Sequence, residues 1–338
     1  MPIKNLIFLF SLFLFVQLLL WTQPVAVATS FSERPEVRHF VAEMVSKHGF
    51  GADALNDLFA QVTLRPRVAK TMTSKVVKPP SWSRYRANFV NPWRIAHGVS
   101  FWSDNEAALT RARQVYGVPE EVIVAIIGVE TRYGTYPLSH PVLDTLATLA
   151  FDYPRRAEFF RGELEQYLLL MREEGKDPLS IRGSFAGAMG IPQFMPSSYR
   201  AYAVDFDGDG RRDLWRSSTD AIGSVANYLK TYGWEANLPV AMRASLQQDA
   251  SFSDLLSGGL KPKYSMDQLR MRGVMAVEAL APETPVALLA VDVGDGQEYW
   301  LGLNNFYAIT RYNRNLFYAL SVYQLSQEIR LARLSSLN

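Results

Sequence analysis

Apolar residues recur at helical spacing over most of the chain beyond residue 30. The first helix that this spacing predicts starts at Pro35 and ends at Gly49, because proline suits the first turn of a helix and glycine its C-terminal end. Its apolar face is formed by Val37, Phe40, Val41, Met44 and Val45. Further helices are predicted over 52–62, 104–116, 119–130, 155–174, 220–231 and 313–333. The fold is therefore predicted to be mainly α.

Local signals suggest where several of these helices start. Ser103 is predicted to cap the helix over 104–116, with Glu106 completing a capping box, and Thr219 is predicted to cap the helix over 220–231. Residues 75–98 contain Pro-Pro and Asn-Pro-Trp, so we expect this stretch to be irregular.

One part of the chain follows a strand pattern instead. Residues 285–293 and 297–303 are rich in β-favouring residues and flank a Gly-Asp-Gly turn, which predicts a β-hairpin. A strand near 240–244 is expected to join it. The fold class predicted from the pattern is thus mainly α (α+β), with a small β-containing insert around 237–303.

The first residues have the pattern of a targeting segment. Lys4 precedes an apolar run from Leu6 to Trp21, and Ala26 and Ala28 fit a small-residue cleavage site. We predict a secretory signal peptide over 1–28, with an uncleaved membrane anchor as the alternative. Either way, we expect the body of the protein outside the cytoplasm, in the periplasm.

The composition and the net charge exclude several classes of function. Charged residues make up 20% of the 338 positions and the net charge is +2, too small to indicate a nucleic-acid binder. There is no cysteine, which excludes disulfides, thiolate catalysis and a lipid-modified cysteine.

Glu130 stands out because it ends a nearly unbroken apolar run. It follows Ile126 by four residues and Ile127 by three, so it continues a helix surface that is buried all round. Burial favours the protonated form of a carboxyl group, and a protonated acid is what a glycosidase needs to donate a proton. The alternative is a structural salt bridge between Glu130 and Arg132.

A second segment, 184–202, combines small, polar and aromatic residues. Gly187 and Gly190 would let the backbone come close to a ligand or another helix. Nearby, Gln193 supplies a side-chain amide and Tyr199 an aromatic ring. Such a mixture suits a sugar-binding groove, and tight helix packing is the alternative interpretation.

The sequences GVETRYG, YPRRAEFF, GSFAGAMGIPQFMPSSY, AVDFDGDGRRDLW, DAIGSVANYL and NFYAITRYN occur in this order. Together they resemble the membrane-bound lytic transglycosylase B family (glycoside hydrolase family 103) over nearly the whole mature chain. The resemblance implies a goose-type lysozyme-like core with added subdomains. It also implies cleavage of the β-1,4 bond between N-acetylmuramic acid and N-acetylglucosamine in peptidoglycan, which leaves 1,6-anhydromuramyl ends.

The resemblance implies one catalytic acid, Glu130, which acts first as acid and then as base. It places Ser184 and Gln193 in the groove, where Ser184 would hydrogen-bond the acid or the substrate N-acetyl group. Tyr312 and Asn313 match residues near the reacting sugar.

Further family positions carry over to four more residues. Tyr318 and Tyr85 match aromatic groove residues. Arg155 and Arg156 match a pair that holds the anionic peptide stem or the muramyl carboxylate, and a guanidinium can bind a carboxylate bidentately.

The acidic loop begins like an EF-hand. Asp205, Asp207 and Asp209 occupy positions 1, 3 and 5, with a glycine at position 6, so a bound calcium ion is predicted to neutralise them. The carbonyl of Arg211 fits position 7. Asp213 fits position 9, but position 12 is an arginine. The family closes the loop with a later acid, and Asp220 matches it at an unusually long spacing. The expected role of Ca²⁺ is structural, and no organic cofactor is expected.

The predicted organisation has five parts: a signal peptide (1–28), an N-terminal helical region completing the groove (29–115), the lysozyme-like core with the EF-hand-like loop (116–236), a β-containing subdomain (237–303) and a C-terminal helix returning to the core (304–338). Peptidoglycan glycan strands are the expected partner, with cell-wall synthesis or remodelling proteins as protein partners and a monomeric state.

Two alternatives to a lytic transglycosylase stay open at this point. A muramidase on the same fold would need a second acid, for which Asp144 and Asp152 are the candidates. A calcium-braced peptidoglycan-binding protein would use Glu130 only structurally.

Overall fold

The computed structural model describes residues 30–73 and 80–336; the predicted signal peptide lies outside them. One compact unit ends at Ala60 and a second begins at Gln61. The domain boundaries at 115, 236 and 303 stay predictions. None of the described helices is both long and apolar enough to cross a membrane.

The first unit is built from a 3₁₀ turn, Phe31–Glu33, and two helices, α1 (Pro35–His48) and α2 (Ala52–Ala60). Gly49 ends α1 in the left-handed conformation, with φ of 66°, as a C-terminal glycine allows. The ring of Phe59 lies 6.2 Å from the ring of Phe31 and 5.9 Å from that of Phe40. The predicted first helix is confirmed.

The second unit is mainly helical over its described residues. Its helices are α3 (Pro66–Thr73), α4 (Trp82–Phe89), α5 (Pro92–Asp104), α6 (Glu106–Tyr116), α7 (Glu120–Thr131), α8 (Val142–Asp152), α9 (Ala157–Glu173), α10 (Pro196–Tyr202), α11 (Ser218–Thr231), α12 (Met266–Arg270), α13 (Asn304–Tyr312) and α14 (Leu316–Ser336). Helix α7 is the centre of this unit, because α5, α6, α11 and α14 all pack against it and every residue from Val122 to Val129 is buried.

The expectation of an irregular stretch over 75–98 is wrong for its described part, which contains α4 and the first half of α5. The side chain of Ser81 accepts a hydrogen bond from the Arg84 backbone, and that of Asn91 accepts one from Arg94. Polar residues before these segments are therefore N-caps rather than breaks, and Pro92 takes the first helical position that proline tolerates.

Two predicted caps are also wrong. Ser103 lies inside α5 and donates a hydrogen bond to the carbonyl of Val99; α6 starts after Asn105. Ser217, not Thr219, caps α11, because its hydroxyl oxygen accepts from the backbone of Asp220 at 3.1 Å. Helix boundaries shift by one turn or less when several small polar residues compete for the cap.

The β-containing insert is confirmed. Strands β3 (Ala241–Leu246), β4 (Tyr264–Ser265), β5 (Val274–Ala276), β6 (Pro285–Asp292) and β7 (Gln297–Gly302) form an antiparallel sheet in the order β4-β6-β7-β3-β5. The predicted hairpin is β6–β7, with Ala290 opposite Tyr299. One face of the sheet covers a separate apolar cluster that includes Leu269, Val286 and Leu301.

A second, two-stranded sheet lies close to the polar and small-residue segment. Strand β1 (His140–Pro141) pairs antiparallel with β2 (Arg182–Gly183). A Cβ at Gly183 would lie 2.4 Å from the carbonyl oxygen of Ala188, so this close approach requires glycine. The pairing fixes the start of the segment that runs from Ser184 to Phe194.

Candidate active site

The carboxyl group of Glu130 lies at the C-terminal end of α7, where it is half-buried. The hydroxyl of Tyr318, on α14, donates a hydrogen bond of 2.6 Å to its Oε1. Burial raises the pKa of Glu130 to about 7, and the hydrogen bond from Tyr318 opposes part of that rise. Near neutral pH this group is therefore close to half protonated.

The structural salt bridge with Arg132 is not formed. The guanidinium of Arg132 lies over the ring of Trp93, 5.5 Å from its centroid, and no arginine contributes to the pKa of Glu130. The raised pKa thus persists because no cation within the described residues offsets the cost of burial.

Three tyrosines surround the Glu130 carboxyl group. Burial raises the pKa of Tyr85, and burial raises those of Tyr312 and Tyr318 much further. The negative charge of Glu130 adds to the rise in all three. All three hydroxyls therefore lie within electrostatic reach of the carboxyl group and stay protonated as donors. The ring of Tyr85 also contacts those of Phe89 and Phe317, at 5.1 and 5.6 Å.

The loop over 190–194 is fixed beside Glu130 by two hydroxyl groups. The hydroxyl of Thr131 donates to the carbonyl of Ile191 at 2.8 Å, and that of Tyr312 donates to the carbonyl of Pro192 at 2.6 Å. Between these anchors, Gln193 adopts a positive φ of 54°, an uncommon conformation for a residue with a side chain. Three motifs that are far apart in sequence therefore meet at one place.

The remaining predicted groove residues have different surroundings. The hydroxyl oxygen of Ser184 accepts hydrogen bonds from the backbone of Ala186 and Ala188, at 3.2 and 3.0 Å, so in this structure it orders its own turn. Asn313 is exposed just after α13. The roles of both residues stay predictions.

Arg155 and Arg156 lie in a 3₁₀ turn before α9, and both are exposed. The guanidinium of Arg156 lies 4.1 Å from the ring centroid of Phe159. Its charge also lowers the pKa of Glu163, although burial raises that pKa more strongly. Neither arginine contributes to the pKa of Glu130, and their role in binding an anion stays a prediction.

Sequence reasoning missed the structural role of Tyr133. Arg132 and Tyr133 both have positive φ, 51° and 61°, and this turn directs the Tyr133 ring back against α7. A Cβ at Gly128 would lie 2.6 Å from that ring, and one at Gly98 would lie 2.7 Å from its hydroxyl. The two glycines thus make room for the ring, and a glycine three residues before the end of an apolar helix was the available signal.

The acidic loop brings its three predicted ligands together. Carboxylate oxygens of Asp205, Asp207 and Asp209 lie within 4.8 Å of one another, and all three residues are exposed. Backbone N–H groups of Gly208 and Gly210 donate to Asp205 at 2.7 and 2.8 Å. Three clustered carboxylates and a tight turn are the donor set that calcium prefers, so the residues present fit this ion.

Asp220 lies behind the loop and is almost fully buried. Its carboxylate accepts hydrogen bonds from the backbone of Phe206, Asp207 and Asp213, at 2.8, 3.2 and 2.8 Å. Burial raises its pKa despite these bonds. The described geometry shows Asp220 holding the loop backbone; its predicted role as a metal ligand stays open.

The remaining predicted loop residues also bond within the loop. The backbone N–H of Arg211 donates to the carboxylate of Asp209 at 2.8 Å. The carboxylate of Asp213 accepts from the backbone of Trp215 and Arg216, at 3.1 and 3.2 Å. These bonds turn the chain towards α11, and they leave the predicted ligand roles untested.

A backbone hydrogen bond joins the region of the acidic loop to the loop over 190–194. The N–H of Ile191 donates to the carbonyl of Leu214 at 2.7 Å, directly beside the Thr131 anchor. A Cβ at Gly190 would lie 2.6 Å from the same carbonyl oxygen. This hydrogen bond links the chain just after the acidic loop to the 190–194 loop.

Asp144 does not have the surroundings of a second catalytic acid. It is buried, and it accepts hydrogen bonds from the guanidinium of Arg65 at 2.7 Å and from the backbone of Thr63 at 3.0 Å. These bonds occupy both of its carboxylate oxygens. Asp152 is exposed at the last position of α8.

Cavity size alone does not locate the chemistry. A pocket of about 670 Å³ is lined by residues of α4, α14 and the sheet, among them Arg86, Trp300 and Gln324, and Glu130 is not part of its lining. A smaller pocket of about 350 Å³ is lined by Tyr85 and Phe317, and Glu130 is not part of its lining either.

Comparison with known proteins identifies the family of the chain. The family model of the transglycosylase SLT domain matches residues 32–327. The membrane-bound lytic murein transglycosylase B of Escherichia coli (strain K12) is 49% identical over 312 residues, which cover 90% of this chain and 85% of that protein.

Solved structures show the same relationship. The soluble lytic transglycosylase SltB1 of Pseudomonas aeruginosa, in its catenated form, superposes with a TM-score of 0.86 at 47% identity, covering 90% of this chain and 99% of that one. The Escherichia coli lytic transglycosylase Slt35 in complex with calcium superposes with a TM-score of 0.82 at 48% identity, covering 90% and 95%. The expected lysozyme-like helical fold with a small sheet is confirmed. The chain belongs to the transglycosylase SLT-domain family and is a lytic transglycosylase.

Proposed function

We propose that the protein cleaves the β-1,4 bond between N-acetylmuramic acid and N-acetylglucosamine in murein, with Glu130 as both acid and base. The observation that carries this proposal is a single carboxyl group with a pKa of about 7, held by Tyr318 at the end of a buried helix. An acid–base catalyst is most effective when its pKa lies near the working pH.

In the first step the protonated Glu130 donates its proton to the glycosidic oxygen, and the bond from that oxygen to the muramyl C1 breaks. The substrate N-acetyl group stabilises the positive charge at C1. The Glu130 carboxylate that results is stabilised by the hydrogen bond from Tyr318.

In the second step the carboxylate takes the proton of the muramyl C6 hydroxyl, whose oxygen bonds to C1. This closes the 1,6-anhydro ring and returns Glu130 to its protonated form, so no water is consumed. The hydrogen-bonded environment of Asp144 supports a mechanism with one acid, because its carboxylate is occupied by Arg65 and Thr63.

The groove residues are assigned supporting roles in this proposal. Tyr85, Tyr312 and Gln193 form the wall next to the reacting sugar, and Ser184 and Asn313 contact its polar groups. The hydrogen bond from the Tyr312 hydroxyl to the carbonyl of Pro192 supports this assignment, because Pro192 directly precedes Gln193. Arg155 and Arg156 contact the anionic peptide stem.

Calcium is assigned to Asp205, Asp207 and Asp209, with the Arg211 carbonyl and Asp220 completing the loop. Its role is structural, because the loop joins the groove through the bond between Ile191 and Leu214. The calcium complex of Slt35 supports this assignment. When bound, the ion would offset the mutual repulsion of the three carboxylates.

The protein acts in the periplasm after export through its N-terminal segment. Glycan strands of peptidoglycan are its partner, it works as a monomer, and proteins of cell-wall synthesis or remodelling are its expected protein partners. The membrane-bound relative in Escherichia coli supports action at the cell wall.

The first experiment is mass spectrometry of muropeptides released from purified sacculi. The wild type should release products with anhydro ends that resist borohydride reduction, and Glu130→Gln should release none. Glu121→Gln is a matched control, because Glu121 lies on the same helix and burial also raises its pKa.

The product ends separate the competing functions. Reducible ends would indicate hydrolysis, and Asp144→Asn and Asp152→Asn would then be tested for loss of activity. A folded wild type that binds sacculi but releases nothing would indicate a binding protein.

A further inference from the structure

Two arginines with like charge meet at the end of α7, close to Glu130. Arg94 lies on α5 and is only 7% exposed, and Arg132 is exposed just beyond α7. Burial, and then the positive charge of Arg132, lower the pKa of Arg94. Among residues 30–73 and 80–336, neither guanidinium pairs with a carboxylate. The protein thus keeps two positive charges without an ion-pair partner at the end of α7.

The guanidinium of Arg94 is incompletely satisfied. Its Nε is buried and has no hydrogen-bond partner among the described residues, and its charge lies over the ring of Phe89 at 5.2 Å. Buried polar groups without a partner are uncommon and costly, and a buried charge without a counter-ion is more costly still. The negative end of the α7 dipole offsets only part of this cost. An anion bound at this position would supply the missing charge.

An exposed aromatic surface adjoins the pair. Trp93 is 43% exposed, its ring stacks on that of His97 with centroids 3.8 Å apart, and Arg132 lies over it at 5.5 Å. An exposed tryptophan next to a guanidinium offers one apolar face and one cationic group. That combination suits a ligand that has both an apolar face and a carboxylate.

A chain of ring contacts runs from Arg94 towards the catalytic acid. Tyr85 lies within electrostatic reach of Glu130, Phe89 lies 5.1 Å from Tyr85 between ring centroids, and Arg94 lies over Phe89. Two contacts of about 5 Å therefore link Tyr85, which senses the charge of Glu130, to Arg94.

We propose that Arg94, Arg132 and Trp93 form a binding subsite for a carboxylate of the murein peptide stem, separate from Arg155 and Arg156. The inference rests on the proposed function. In this arrangement Arg132 contacts the carboxylate directly. The buried charge of Arg94 adds to the positive potential there, and Trp93 packs against the apolar part of the stem.

The test measures binding of soluble glycan strands by the otherwise intact Glu130→Gln protein, which does not turn its ligand over. Stem-bearing strands, whose stem carboxylates are free, are compared with amidated strands, in which those carboxylates have been converted to amides. Arg132→Gln should weaken binding of the stem-bearing strands roughly tenfold, as expected for one charge-assisted contact. It should leave binding of the amidated strands unchanged.

Three further variants make the result specific. Arg132→Lys should retain part of the affinity, since it keeps the charge but not the bidentate geometry. Arg67→Gln removes an exposed charge on α3 and should change nothing. Trp93→Ala should weaken binding of stem-bearing strands as well, which tests the aromatic part without changing the charge.

Turnover by the Arg132→Gln enzyme gives an independent readout. The KM for stem-bearing strands should rise roughly tenfold while kcat is retained. Equal weakening on both kinds of strand, or unchanged affinity for both, would overturn the subsite. A wild-type protein that releases no anhydro products would instead overturn the proposed function, so the two failures are distinguishable.

Discussion

The change Tyr318→Phe tests whether one hydrogen bond sets the pKa of the catalytic acid. The Tyr318 hydroxyl donates to Glu130 at 2.6 Å and stabilises its ionised form more than its protonated form. A hydrogen bond to a charged group contributes about 1.5–3 kcal/mol, and one pKa unit corresponds to about 1.4 kcal/mol. Loss of the hydroxyl should therefore raise the pKa of Glu130 by roughly one to two units above its present value of about 7.

The assay is the pH dependence of kcat/KM on soluble murein strands, which reports the pKa of the free enzyme. Glu130 must be protonated to start the reaction, so activity of the wild type should fall as pH rises through about 7. This fall is the alkaline limb of the pH profile. In Tyr318→Phe the alkaline limb should move to higher pH by one to two pH units. The maximal rate should fall, because the carboxylate formed in the first step loses a donor.

Tyr85→Phe is the matched control. Tyr85 is a second tyrosine near Glu130, but its hydroxyl makes no hydrogen bond to Glu130 in the described structure. Its removal should shift the limb by much less than the removal of the Tyr318 hydroxyl. An alkaline limb that stays in place, or moves to lower pH, in Tyr318→Phe would refute the account of this site.

Three other changes have defined outcomes. Because burial raises the folded-state pKa of Glu130 to about 7, its ionisation costs stability, and this stability is lost as pH rises through that value. Glu130→Gln should thus have a free energy of unfolding higher than that of the wild type by about 1–3 kcal/mol at pH 8.5 and the same stability at pH 4, as measured by thermal unfolding at both pH values. Removing calcium with a chelator should lower the melting temperature of the wild type. The free energy of unfolding should fall by roughly 3 kcal/mol if the ion was present at a hundred times its Kd. Asp209→Asn should show little response to the chelator. Gly128→Ala should destabilise the fold by about 1–3 kcal/mol, measured by urea unfolding, because its Cβ would lie 2.6 Å from the Tyr133 ring; an unchanged midpoint would argue against this tight packing.

The sequence predicted the elements whose signals are local. The hairpin β6–β7 was recognisable because alternating β-favouring residues flank a glycine-rich turn. Helices α4 and α5 were not, because Asn91 and Pro92 fit a loop and a helix start equally well. Only the hydrogen bond from the Arg94 backbone to the Asn91 side chain distinguishes the two.

The sequence predicted that Glu130 is buried with a raised pKa, but it did not predict how the side chains around Glu130 are arranged. Burial of its helix follows from the apolar run over 122–129, and this alone indicates a raised pKa. Whether Arg132 would neutralise the carboxylate could not be decided from a separation of two residues. The left-handed conformation at Arg132 and Tyr133 turns that side chain towards Trp93 instead.

The sequence by itself determined the buried helix that ends at Glu130 and the triple-aspartate loop at 205–209, because both depend on residues close together in the chain. The tertiary structure decided which groups act on the acid. Tyr318 reaches Glu130 across a separation of 188 residues, and Tyr312 reaches Pro192 across 120. Such contacts depend on how helices pack against α7, and packing is set by the shapes of all the side chains in the interface rather than by any local spacing.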